Sequence, residues 1–83
     1  MENQEQEVQE LTFGQKAVGF KFNPSKLNSV DEAKLMLANA IDQMNDFRND
    51  EKTCSGAKRH ASTAITMLED AQMRMVKALT WQD

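Results

Sequence analysis

The stretch "VDEAKLMLANAIDQMNDFRND", residues 30–50, reads as one helix with one apolar seam. Ser29 stands before it as a candidate N-cap, and Asp31 and Glu32 fall in the first turn, where the helix dipole favours negative charge. Val30, Ala33, Leu37, Ala40, Met44 and Phe47 follow a 3,4,3,4,3 spacing. That is an a/d-type seam along a rod about 30 Å long at 1.5 Å per residue. A seam of this kind needs a partner. Downstream, "NDEKTCSG" (49–56) supplies a polar loop with Gly56. "AKRHASTAITMLEDAQMRMVKALTW" (57–81) then resumes the pattern through Ala61, Ala64, Leu68, Ala71, Met75 and Ala78. The expectation is an all-α fold, an antiparallel helical hairpin. The second helix has further apolar surface in Ile65, Leu68, Gln72, Val76 and Leu79, and the first has Leu35 and Met36. Either the N-terminal arm covers a broad core face, or these stripes meet other subunits. The alanines at 33, 40, 57, 61, 64, 71 and 78 would allow close helix approach in a multi-helix assembly.

Upstream, "LTFGQKAVGFKFNPS" (11–25) forms an arm. Thr12 can cap a short helical turn, and Val18, Phe20 and Phe22 alternate with Gly19 and Lys21 as extended chain does. Pro24 stops regular structure. It biases Asn23 to extended geometry, while Ser25 or Asn28 can close a turn onto nearby amides. Residues 1–10 carry four glutamates and no base; residues 11–29 carry Lys16, Lys21 and Lys26 and no acid. The division expected is an acidic tail, 1–10, and a hairpin domain, 11–83.

Composition bounds the function. A chain of 83 residues is one small domain, a size at which self-assembly is a common source of stability. With 40% hydrophobic and 28% charged residues it has an ordinary globular balance, and no apolar run is long enough to span a bilayer. "MENQEQEVQE" lacks the regions of a signal peptide, and the single Cys54 cannot pair within the chain, so the cytoplasm is the expected location. A net charge of -3 argues against a broad duplex-binding surface, whereas the basic elbow suits a small anionic ligand.

Catalytic chemistry finds little support. His60 is the lone histidine, and Cys54 sits in a polar loop with no base fixed beside it. Asp42 and Asp46 share a helix face without a third ligand, which reads as a solvated face. Glu69 and Asp70 are adjacent and diverge. Phosphate-loop, dinucleotide and nucleophile-elbow motifs are absent. The expectation is a protein that is not an enzyme and needs no cofactor or metal.

"KAVGFKFNPS", "VDEAKLMLANAIDQM" and "STAITMLEDAQMRMVKALTW", taken in order, resemble the helical hairpin domain of two phage anti-defence families, the anti-CBASS cyclic-nucleotide sponges and the Thoeris anti-defence sponges. The resemblance spans about residues 13–81. Its most specific parts are the Phe-Asn-Pro-Ser elbow and the C-terminal Ala-Ile-Thr, Leu-Glu, Ala-Gln-Met, Val-Lys-Ala and Thr-Trp pieces. It implies a homo-hexamer in the host bacterial cytoplasm that performs no reaction and sequesters the signal made by an immune enzyme. Its partners would be cyclic dinucleotides or cyclic ADP-ribose isomers, in pockets shared by two protomers, and cyclic trinucleotides, near three-fold axes. No nucleic-acid polymer or membrane is implied. Aromatic faces and lysines at the elbow suit that task, since every base offers a π-face and each phosphate takes a cation or an N–H donor.

Carried onto this sequence, the resemblance matches Phe13 and Asn23 to an aromatic and an asparagine of the paired-protomer pocket. Phe20 stands where relatives often have tyrosine, implying a base stack without the hydroxyl bond, and Lys34 is the implied phosphate contact. Arg59, with Lys58 beside it, and Thr66 are implied in the trinucleotide pocket. Arg74 follows "AQM", where relatives are expected to carry an aromatic. Read from the residues alone, Phe20 and Phe22 are equally hydrophobic plugs, Lys34 a solvated charge and Asn23 a turn former. A second reading of the whole chain is a helical oligomerisation adaptor that docks a protein partner through its basic elbow.

Overall fold

A computed structural model of the protein describes residues 10–20 and 28–82. These form three helices, α1 (Phe13–Ala17), α2 (Ser29–Arg48) and α3 (Ser55–Leu79), and no strand is present among the described residues. The helical hairpin expected from the 3,4 spacing is α2 and α3; α1 lies against α2 on a different flank. The elbow residues Asn23, Phe22 and Pro24, like the acidic tail before Glu10, lie outside the described residues.

Five residues are too few for a helix to persist alone, so α1 depends on its ends and its docking. At its start Thr12 and Gln15 form a reciprocal capping box, with Gln15 N–H donating to Thr12 Oγ1 and Thr12 N–H donating to Gln15 Oε1, both at 3.0 Å. At its end the Gly19 N–H donates to the Lys16 carbonyl at 3.2 Å and the Phe20 N–H to the Gln15 carbonyl at 2.9 Å. With Gly19 at φ +70°, this is a Schellman closure. The alternation of Val18 and Phe20 therefore reflects a helix stop and not the extended chain that the sequence suggested. Both side chains turn inward and are buried.

α2 begins one residue earlier than the sequence indicated. Asn28, not Ser29, is the N-cap, its Oδ1 accepting from Asp31 N–H at 2.9 Å while Asp31 Oδ2 accepts from Asn28 N–H at 3.4 Å. The connection to α3 is closed by Thr53, whose hydroxyl donates to the Phe47 carbonyl at 2.8 Å, and by Asp50, whose Oδ1 accepts from Lys52 N–H at 2.9 Å. One of the carbonyls orphaned at the end of α2 is thereby satisfied.

The core is a single cluster: Val18 and Phe20 from the arm, Leu37, Ala38 and Ile41 from α2, and Ile65 from α3. Ala38 and Ile41 are fully buried, at 0% exposure, yet neither belongs to the expected seam. The reason is that α2 is contacted from two sides. Its seam residues Ala33 and Leu37 are buried. Ala38, about 100° further round the helix at 3.6 residues per turn, meets α1, and Ile41 falls between. The broad face is thus covered in part by the arm. Substantial apolar surface stays open on this chain, including Met36, Phe47, Met67, Met73 and Leu79. No described helix is long and apolar enough to cross a membrane.

Candidate functional site

Docking of α1 starts from one small residue. The Gly14 backbone approaches α2 so closely that a Cβ built on it would lie 2.1 Å from the Ala38 carbonyl oxygen. The Gly14 N–H donates to Asp42 Oδ1 at 2.6 Å, a short contact to a charged acceptor. Asp42 is therefore a docking acceptor and not part of the solvated face that its pairing with Asp46 suggested; Asp46 is exposed. Among the described residues no group of three or more histidine, cysteine, aspartate or glutamate side chains could hold a metal.

The Gly14 contact delivers Phe13 to the loop end of the hairpin. Its side chain is 44% exposed, and the Arg48 guanidinium lies 5.5 Å from the ring centroid, within cation–π range. Arg48 is itself held: Nε donates to Asn45 Oδ1 and Nη1 to Ser62 Oγ, each at 3.0 Å. A half-open aromatic ring, a cation and two small polar groups thus meet where all three helices converge. Such a set can stack a planar group beside a fixed positive charge.

The other expected residues lie elsewhere. Lys34 Nζ donates to the Gly19 carbonyl at 3.3 Å, so it ties the end of the arm to α2. Arg48 and Lys34 are fourteen residues apart on α2, about 21 Å along the axis. Within one chain Phe13 and Lys34 therefore occupy two places along the same flank. Phe20 is 3% exposed and packs in the core, so within this chain its ring has no open face for a base. The hydrophobic-plug reading describes its position.

Arg59 and Thr66 are both exposed on α3, seven residues and about 10.5 Å apart. On the helical wheel they share the side opposite Ala61 and Ile65, which face α2. The Thr66 hydroxyl donates to the Ser62 carbonyl at 3.4 Å, and the Thr63 hydroxyl to the Arg59 carbonyl at 3.1 Å. The structure therefore pairs Arg59 with Thr66 on an outward face and keeps both apart from Lys34. Arg74 is exposed on the same helix. At its end Lys77 Nζ lies 6.0 Å from the Trp81 ring centroid.

Arg48, Asn45 and Ser62 were not singled out by sequence reasoning. The usable signal was their position: Asn45 and Arg48 are one turn apart beside the loop, and in an antiparallel hairpin Ser62 returns to that level.

A family model described as the Acb2/Tad1 hairpin domain matches residues 15–80, well over half of the chain. Phe13 and Gly14 immediately precede the matched segment, whereas Lys34, Arg48, Arg59, Ser62 and Thr66 fall inside it. No curated protein and no solved structure is matched.

Proposed function

Given that the chain belongs to the Acb2/Tad1 hairpin family, the anti-CBASS and anti-Thoeris sponges, we propose that it sequesters cyclic nucleotide immune signals without reacting with them. The match across residues 15–80 carries this reading. The ligands proposed are cyclic dinucleotides, cyclic trinucleotides and cyclic ADP-ribose isomers, and the defence blocked is CBASS or Thoeris. Phe13, with Asn23 and Lys34, serves dinucleotides and cyclic ADP-ribose isomers; the exposure of Phe13 beside Arg48 supports a stacking role.

The Phe13 ring sits beside Arg48, whose level along α2 is about 21 Å from that of Lys34, and this supports a shared pocket that draws Phe13 and Lys34 from two protomers. Arg59 and Thr66 serve trinucleotides, and their outward-facing position supports contact with ligand at a junction between chains. Assembly is as a homo-hexamer in the host bacterial cytoplasm. The open apolar side chains Met36, Met67 and Met73 support burial between subunits.

The test is retention and release. The protein is incubated with cyclic GMP–AMP, cyclic tri-AMP and cyclic ADP-ribose, freed of unbound nucleotide, heat-denatured, and the supernatant analysed. Recovery of an intact cyclic nucleotide supports the sponge. A linearised product makes the protein an enzyme, and depletion of no probe favours the oligomerisation adaptor.

A further inference from the structure

We propose that Arg48 is the positioning residue for the Phe13 ring. The inference rests on the reading that Phe13 stacks a ligand base, and it assigns a task to a side chain which that reading leaves unused.

Phe13 is the first residue of a five-residue helix, and its side chain is half open. Arg48 stands beside it. Its guanidinium is planar, and the bonds from Nε to Asn45 on α2 and from Nη1 to Ser62 on α3 hold that plane at two points. The guanidinium carbon stands over the Phe13 ring, 5.5 Å from its centroid. Contacts from all three helices therefore converge on one cation, and the ring is oriented by the hairpin and not by the arm that carries it. A ring ordered before binding loses less conformational freedom when a base stacks on it. Lysine cannot substitute, because an ammonium is a point charge with neither the plane nor the Nε and Nη1 fork.

The experiment is titration calorimetry of the full chain with cyclic GMP–AMP and cyclic ADP-ribose, on wild type, Arg48→Ala, Arg48→Lys, Phe13→Leu and the double variant Phe13→Leu/Arg48→Ala. In the ligand-free protein, nuclear Overhauser contacts between the labelled Phe13 ring and the Arg48 side chain are measured alongside. The expected results are the contacts in wild type, a loss of affinity of about 3- to 10-fold in both Arg48 variants, and no further loss when Arg48→Ala is added to Phe13→Leu.

Rescue by lysine, or an Arg48→Ala loss that persists in the Phe13→Leu background, would make Arg48 a direct charge on the ligand and overturn the proposal. If Arg48→Ala does not fold, Asn45→Ala and Ser62→Ala leave Phe13 and Arg48 both present and each remove one bond to the guanidinium, Asn45→Ala also removing the longer bond from Asn49. Weakened binding in those variants upholds the inference, and unchanged binding overturns it. Failure of the wild type to bind either probe overturns the stacking reading itself, and the inference with it; wild-type binding that Arg48→Ala leaves unchanged overturns the inference alone.

Discussion

Replacing Gly14 with alanine isolates the contact that attaches the arm. No left-handed backbone angle demands glycine at this position; space does. The added methyl would sit 2.1 Å from the carbonyl oxygen and 2.9 Å from the carbonyl carbon of Ala38, and 2.9 Å from Asp42 Oδ1. The first two belong to the backbone of a helix and cannot swing aside. Helix propensity by itself favours alanine by about 1 kcal/mol. Against it stand about 1–3 kcal/mol for forcing a methyl into a packed space and about 1.5–3 kcal/mol for disrupting the Gly14 N–H bond to a carboxylate. The net expectation is a destabilisation of about 1.5–5 kcal/mol.

Urea unfolding followed by circular dichroism at matched protomer concentration reads this directly. Gly56→Ala is the comparison: nothing lies within 4 Å of its added Cβ, and it sits in the first turn of α3, so its midpoint should hold or rise. A Gly14→Ala midpoint at or above that of the wild type would mean that α1 does not rest on Ala38, and the account of the docked arm would fail.

Asn28→Ala should cost about 1 kcal/mol in the same assay, because it removes the side-chain half of the α2 capping box. Ser29→Ala should cost less, and the reverse order would restore Ser29 as the cap. Ile41→Ala, at a fully buried position shared by the two faces of α2, should cost about 2–5 kcal/mol, whereas Met36→Ala on the free protomer surface should cost far less unless the assembly covers it. In calorimetry, Phe13→Ala should weaken cyclic dinucleotides or cyclic ADP-ribose by about 1–3 kcal/mol and spare a trinucleotide; Arg59→Ala and Thr66→Ala should do the converse, the arginine effect shrinking at high salt. Loss of the same ligand by Phe13→Ala and Arg59→Ala in an intact assembly would mean one site and not two.

What the sequence disclosed and what it hid divide along a physical line. The 3,4 spacing of α2 and α3, the polar loop between them and the Thr12 cap are local patterns, and each has its counterpart in the fold. Features that depend on one element meeting another were hidden. Ala38 and Ile41 left the seam because α2 is covered on a second side, which no periodicity within α2 announces. Gly14 gave no sign that Ala38 would lie against it, and Asp42 read as a surface charge until a backbone N–H arrived from twenty-eight residues away. The candidate site follows the same rule. The exposure of Phe13, Arg59 and Thr66 is in keeping with residues that reach outward, Phe20 was claimed by the core, and Asn23 lies outside the described residues. Arg48 gains its interest only from Phe13 and Ser62, both distant in sequence.

The arm's attachment also separates two kinds of opening. The hairpin joins α2 to α3 through a short connection, so its contacts at the loop end, such as Arg48 with Ser62, close over fourteen residues, whereas the Gly14 bond to Asp42 closes over twenty-eight. The expected order is therefore that the arm settles on the hairpin last and leaves it first. Hydrogen exchange distinguishes the two events. The Gly14 amide, whose acceptor is a side chain on α2, reports departure of the arm. The Ile41 amide, at the centre of α2, reports the rarer opening of the hairpin itself.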